Sequence, residues 1–168
     1  MIKRTGNLTK AALLTALAAV LVCVSSWLPT GRLALPALAA LPTAAAVIEC
    51  GVGWAAGHYI AVCFLAFLLS PDKTMPLWYA FLFGHYALFK HWIEALSAAI
   101  LRWILKLTVC YGCMGLLYIL FSAAFAAVLP RIPVYWLVPV LGAVFIVYDI
   151  AFTRLIGLYM RRVHRTIQ

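Results

Sequence analysis

The sequence predicts an all-α, polytopic membrane protein with six transmembrane helices and one amphipathic helix in the cytoplasmic interface. Three observations predict it. Hydrophobic residues make up 67% of the 168 positions and charged residues only 10%, too few to give a domain of this size a soluble surface. The apolar residues fall in long runs separated by short polar gaps. Most Lys and Arg residues lie in alternate gaps, the pattern that orients a membrane chain. A single six-helix membrane domain accounts for residues 1–168.

The first span is residues 11–28, Ala11 to Leu28, preceded by Lys3, Arg4 and Lys10. The run is too long for the apolar core of a signal peptide, and Val22 before Cys23 does not suit lipoprotein cleavage, so an uncleaved helix is expected. It stops at Pro29-Thr30-Gly31. The second span, 34–48, is short, and Pro36 and Pro42 argue against a straight regular helix. The third, 51–69, ends at Ser70-Pro71-Asp72-Lys73, and the fourth, 76–89, starts with Pro76 in its first turn. Over 91–104, Trp92, Ile93, Leu96, Ile100, Trp103 and Ile104 recur at helical spacing, interrupted by Glu94, Ser97 and Arg102. This suits a helix lying in the interface, or else an extension of the fifth span beyond the bilayer. The fifth and sixth spans are 105–129 and 134–159.

One set of gaps holds Lys3, Arg4, Lys10, Lys90, Arg102, Lys106, Arg161, Arg162 and Arg165; the other holds Arg32, Lys73 and Arg131. The richer side is the cytoplasmic one, which places both termini in the cytoplasm, as an even number of spans requires. The same placement argues against nucleic-acid binding despite a net charge of +9, because the basic residues end apolar runs rather than forming a stripe on a soluble face. Cys23, Cys50, Cys63, Cys110 and Cys113 all lie in or beside apolar runs and read as packing residues. Cys110 and Cys113 form a C-x-x-C, but inside a span rather than at an exposed helix start.

Few polar residues sit within the spans, and each one calls for a partner. Asp149 lies inside the sixth span, where a carboxylate must face protein or a water-filled cavity. A packing contact and a ligand or gating role are both open to it; Thr153 and Arg154 are near on the same helix. His58 and His85 lie within spans, Glu49 closes the turn between spans two and three, and Lys90 and Glu94 form an i,i+4 pair. Together Glu49, His58, His85, Lys90, Glu94 and Arg154 make a candidate polar network in the cytoplasmic half. None of them has local metal-ligand spacing, and neither a metal nor a cofactor is expected.

On the outer side, Arg32, Asp72, Lys73, Trp78 and Tyr79, with Arg131, Tyr135 and Trp136, form either an interfacial aromatic belt or the mouth of a small-molecule site. With Asp149, the first five are the candidate substrate-binding residues. Ala12-x-x-x-Ala16, extended by Ala19, and Gly53-x-x-x-Gly57 are small-residue faces on which helices approach closely.

Six short helices, an N-in topology, a basic start leading into Ala12-x-x-x-Ala16, and Leu35-Pro36-Ala37-Leu38-Ala39-Ala40 resemble the S component of energy-coupling-factor vitamin transporters. Pro71-Asp72-Lys73, Phe83-Gly84-His85-Tyr86 and the stretch from Tyr148 to Arg154 are similar to a group of small bacterial membrane proteins associated with that family. The resemblance implies a non-enzymatic capture subunit in the bacterial cytoplasmic membrane. It would bind a micronutrient near the outer face and dock through Ala12, Ala16 and Ala19 on a transmembrane coupling subunit that carries two ATPases. No Walker motif occurs in this chain, so those partners would hydrolyse the ATP. The first outer loop, Pro29 to Leu33, is shorter than the lid many members carry, and the chain begins Met1-Ile2-Lys3, without the N-terminal His of the nickel and cobalt members. A non-transporting scaffold of the cell envelope is the alternative. An intramembrane enzyme would require His58, His85, Asp149 or Glu49 to converge within hydrogen-bond reach.

Overall fold

The computed structural model describes residues 2–120 and 134–165, and all secondary structure among them is helical. The helices are α1 (Ile2–Ser25), α2 (Ala34–Cys50), α3 (Val52–Leu69), α4 (Thr74–Trp78), a π-helical turn (Tyr79–Gly84), α5 (His85–Glu94), α6 (Ala99–Leu120) and α7 (Val134–Arg165). Four segments are long and apolar enough to cross a membrane: Thr5–Ser25, Val52–Leu69, Ala99–Ile119 and Val138–Arg162. Ala34–Cys50 is apolar but shorter. The chain divides into two compact units, Met1–Arg102 and Trp103–Gln168.

In the first unit α1, α2 and α3 pack together around small residues. Ala18, Ala39, Ala40, Ala46, Ala55 and Ala66 are buried, so the backbones approach closely without the layer of large side chains a soluble core would use. Leu13, Ile60 and Phe64 point outward, where an apolar solvent would receive them. Helix α2 is one uninterrupted helix despite Pro42. Pro36 sits in its first turn, where the lost N–H was not needed, and only Pro42 removes an internal bond. The expectation of an irregular second span is corrected to that extent. Gly51 alone joins α2 to α3 with φ 88°, a value that favours glycine, and its N–H caps α2 by donating to the Val47 carbonyl.

The predicted fourth span becomes a continuous helical stretch from Thr74 to Glu94, widened at Tyr79–Gly84. The predicted interfacial helix over 91–104 does not form as one element. Its first residues end α5 at Glu94, the chain turns through 95–98, and the rest opens α6. Ile93 is buried while Ile100 and Ile104 are exposed, so residues spaced as one face belong to two helices. Ser97, a residue type that favours turns over helix interiors, sits in the break.

In the second unit α6 and α7 are antiparallel. Lys106 meets Asp149, and further along α6 Tyr111 donates at 3.0 Å to the carbonyl of Val138, which comes earlier on α7. Gly142 is where the Tyr111 hydroxyl approaches the α7 backbone; a Cβ there would lie 2.5 Å from it.

Candidate functional site

The first unit holds a buried chain of hydroxyls around one imidazole. Thr15 on α1 donates to the Ala11 carbonyl at 2.8 Å and lies 2.9 Å from His58 Nδ1 on α3. The other ring nitrogen, Nε2, lies 3.2 Å from Thr43 Oγ1 on α2. Thr43 is 2.8 Å from the Tyr79 hydroxyl, which the π-helical turn supplies. Thr43 and Tyr79 are fully buried, and His58 is 3% exposed. Three helices and the turn are thereby tied at one level.

The π-helical turn explains how Tyr79 reaches that level. Such turns arise where side chains insert into the helical bonding ladder, and they concentrate at functional sites. Here the Ala80 carbonyl accepts the Tyr59 hydroxyl at 2.9 Å and His85 Nδ1 at 3.0 Å. Gly84 completes the fit: a Cβ on it would lie 2.8 Å from the rings of both Tyr59 and Tyr79. Tyr79, which the sequence groups with an outer mouth, is fully buried with its hydroxyl 2.8 Å from Thr43 Oγ1.

The two ends of the first unit carry ions. At one end Arg32 reaches Asp72 at 3.2 Å and donates to the carbonyls of Leu28 and Ser26. Ser26 and Ser70 share a hydrogen bond of 2.6 Å beneath that pair. Asp72 also accepts from the Thr74 hydroxyl and, at 2.9 Å, from the Thr74 N–H. The Thr74 hydroxyl first, then its N–H and the Arg32 charge, hold the Asp72 carboxyl below its ordinary value against the opposing effect of partial burial. Lys73 is spent on the end of α3, donating to the carbonyls of Phe67 and Ser70 at 2.7 and 2.8 Å. Trp78 is partly buried. At the opposite end Lys10 pairs with Glu49 at 2.9 Å. Lys90 and Glu94 on α5 pair at 2.6 Å as their spacing predicts.

Within the first unit the described bonds join His58 to Thr15 and Thr43, His85 to the Ala80 carbonyl and Glu49 to Lys10. Among the described residues no three His, Cys, Asp or Glu side chains gather as a metal site requires. All five cysteines are free thiols.

In the second unit Asp149 meets Lys106 at 2.7 Å, with both side chains buried. Lys106 is thus an interior partner rather than only a topological anchor. Thr153 donates to the Asp149 backbone carbonyl, and Arg154 is exposed, with no bond joining it to the carboxylate. Arg131 lies outside the described residues, as do the side chains of Tyr135 and Trp136.

Of the docking residues, Ala12 and Ala16 are exposed on α1 and Ala19 is buried. Gly53 and Gly57 also face outward, with nothing within 4 Å of where a Cβ would stand. Sequence reasoning missed Thr15, Thr43, Ser26, Ser70 and Thr74. A threonine in an apolar run carries little signal in one sequence, and the pairing of positions 43 residues apart carries none.

No protein-family model matches the chain, and no curated protein or solved structure matches it significantly. The apolar helices are compatible with a multi-pass membrane protein.

Proposed function

We propose that this chain is the substrate-capture subunit of an ATP-driven, energy-coupling-factor type importer of a micronutrient. In this reading the four long apolar helices, α2 and the Thr74–Glu94 stretch are its six spans. Both termini are cytoplasmic, and the membrane is the bacterial plasma membrane. The observation that carries the reading is the face of α1. Ala12 and Ala16 are open on a helix whose other side, at Ala11, Thr15 and Ala18, is buried. That leaves an apolar face, shared with the exposed Leu8, Leu13, Leu17 and Val20, whose alanines let a partner helix approach, and it is where the resembling family docks its coupling subunit. The Arg32–Asp72 end lies on the outer side in this topology, beside the site expected to take substrate.

The test is co-purification from the native host in mild detergent. The wild-type chain is expected to bring down a coupling membrane subunit with an ATPase pair. Ala12→Leu with Ala16→Leu is expected to lose both and still fold, because neither position is buried within the chain. Unchanged association of the double variant would defeat the docking claim. Recovery of envelope-assembly proteins in place of ATPases would move the assignment to a scaffold, which the outward Gly53–Gly57 face would then serve.

A further inference from the structure

The buried hydroxyl chain favours Nδ1 of His58 as the nitrogen that carries the ring proton. Thr15 has one hydroxyl proton, and its Oγ1 commits it to the Ala11 carbonyl at 2.8 Å. In that arrangement Thr15 is an acceptor toward His58 Nδ1, 2.9 Å away, and Nδ1 bears the N–H. With the proton on Nδ1, Nε2 accepts from Thr43 at 3.2 Å and Thr43 accepts from Tyr79 at 2.8 Å. The donors then run in one direction, from Tyr79 to Thr43 to His58 to Thr15 to Ala11, and every proton has an acceptor.

The chain has one spare acceptor. The Ala39 carbonyl lies 3.5 Å from Thr43 Oγ1. A hydroxyl oxygen has two acceptor lone pairs. When the Thr43 proton rotates to Ala39, Oγ1 is able to accept from Nε2–H and from Tyr79 together. The same arrangement of heavy atoms satisfies both imidazole and imidazolium.

We propose that His58 is a proton-binding site inside the first unit, loaded at Nε2 as the Thr43 hydroxyl turns from the ring to the Ala39 carbonyl. One N–H bond forms, the proton comes from hydronium and leaves water, and nothing is oxidised or reduced. Of the titratable groups on the elements packed against α3, Tyr79 reaches the ring through Thr43. Lys10 on α1 and Glu49 on α2 engage each other, His85 donates to Ala80, and Lys90 on α5 pairs with Glu94. No carboxylate is among the described partners of the ring, which faces the Thr15 and Thr43 hydroxyls and the Ala11 backbone carbonyl. A site of this kind takes up a proton by turning one hydroxyl, without shifting a helix. Polar groups within a membrane commonly serve proton transfer of this sort. The inference stands apart from the importer reading.

The test is ring ¹⁵N NMR of the full chain, labelled at histidine and held in phosphatidylcholine nanodiscs, followed from about pH 8 to about pH 5. The His58 signal is identified as the one displaced by Thr43→Val, or by Thr43→Ala if the valine variant does not fold. The expected result is a neutral ring protonated on Nδ1 that gains a proton on Nε2 on acidification while helical circular dichroism stays constant. Thr43→Val removes a bond to Nε2 in both states, and the one lost from the charged ring is the stronger, so the charged ring is disfavoured. The uptake midpoint is expected to fall by about one pH unit, and Thr43→Ser is expected to restore it. A ring protonated on Nε2, proton uptake only as the helices unfold, or a histidine titration that Thr43→Val leaves unchanged would overturn the proposal.

Discussion

Gly84→Ala tests whether the π-helical turn is held by packing. The new methyl would sit 2.8 Å from Tyr59 Cε2 and from Tyr79 Cε1 and Cζ. Neither ring is free to retreat: Tyr79 is fully buried with its hydroxyl on Thr43, and the Tyr59 hydroxyl is held by the Ala80 carbonyl. Overpacking of this kind costs roughly 1–3 kcal/mol, and displacing Tyr79 from Thr43 costs about 1 kcal/mol more. Better helix propensity returns about 1 kcal/mol. The net expectation is a loss of about 2 kcal/mol, or about 4–8 °C in the midpoint of a thermal melt for a chain of this length. Gly57→Ala is the control, since nothing lies within 4 Å of its added methyl. It is expected to melt at or slightly above the wild type. The assay is helical circular dichroism against temperature in one detergent for all three proteins. A Gly84→Ala variant as stable as Gly57→Ala would refute the argument that the two tyrosine rings pin the turn.

Three further predictions follow from the charged groups and from the docking face. Asp149→Ala leaves Lys106 as a buried charge and is expected to lose about 3–5 kcal/mol, whereas Asp149→Leu with Lys106→Met recovers most of that loss in the same melt. Asp72 has a depressed folded value, so its contribution is present above its unfolded value near pH 4 and is lost as pH falls through the lower folded value. Asp72→Asn is therefore expected to flatten the acid limb of stability below about pH 4 and to loosen the Arg32–Asp72 end, read by amide exchange at residues 29–33 and 70–74. For Ala12→Leu with Ala16→Leu, the melt is expected to stay at the wild-type midpoint while co-purification is lost, which separates docking from folding.

What could be read in advance follows from the physics of each signal. Long apolar runs announce helices, and α1, α3 and the described part of α7 lie where the runs lie, because in lipid the backbone must bond within itself. Helix α1 nevertheless begins at Ile2 rather than at Ala11, since helical bonding continues past the point where the apolar run starts. The Lys90–Glu94 pair was legible because its spacing is local. The pairs of Arg32 with Asp72 and Lys106 with Asp149 were not, because they join segments about 40 residues apart. The break at 95–98 was missed for a different reason. Hydrophobic periodicity says which residues share a face, but not whether one helix carries them all. The π-helical turn was also out of reach, since it depends on two side chains competing for the Ala80 carbonyl.

The energetics of the hydroxyl chain bear on why it is there. Side-chain hydrogen bonds between membrane helices average about 0.6 kcal/mol each, because the polar group finds a partner in the unassembled state too. The bonds from Tyr79 through Thr43 and His58 to Thr15 are thus worth about 2 kcal/mol together, less than a leucine or a phenylalanine contributes when it fills a well-packed core site. Valine at position 43 and phenylalanine at position 79 would have nearly the same shape as the residues present. Packing alone therefore does not call for this polarity. What the polar chain adds is register, since only one sliding and rotation of α1, α2 and α3 lets all its partners meet. It also adds a defined direction of proton donation through a lipid-excluded core. Register needs the heavy atoms alone, whereas proton uptake needs the Thr43 hydroxyl to be able to turn. The Thr43→Val variant in which His58 keeps its ring geometry but loses its ordinary proton uptake separates these two roles.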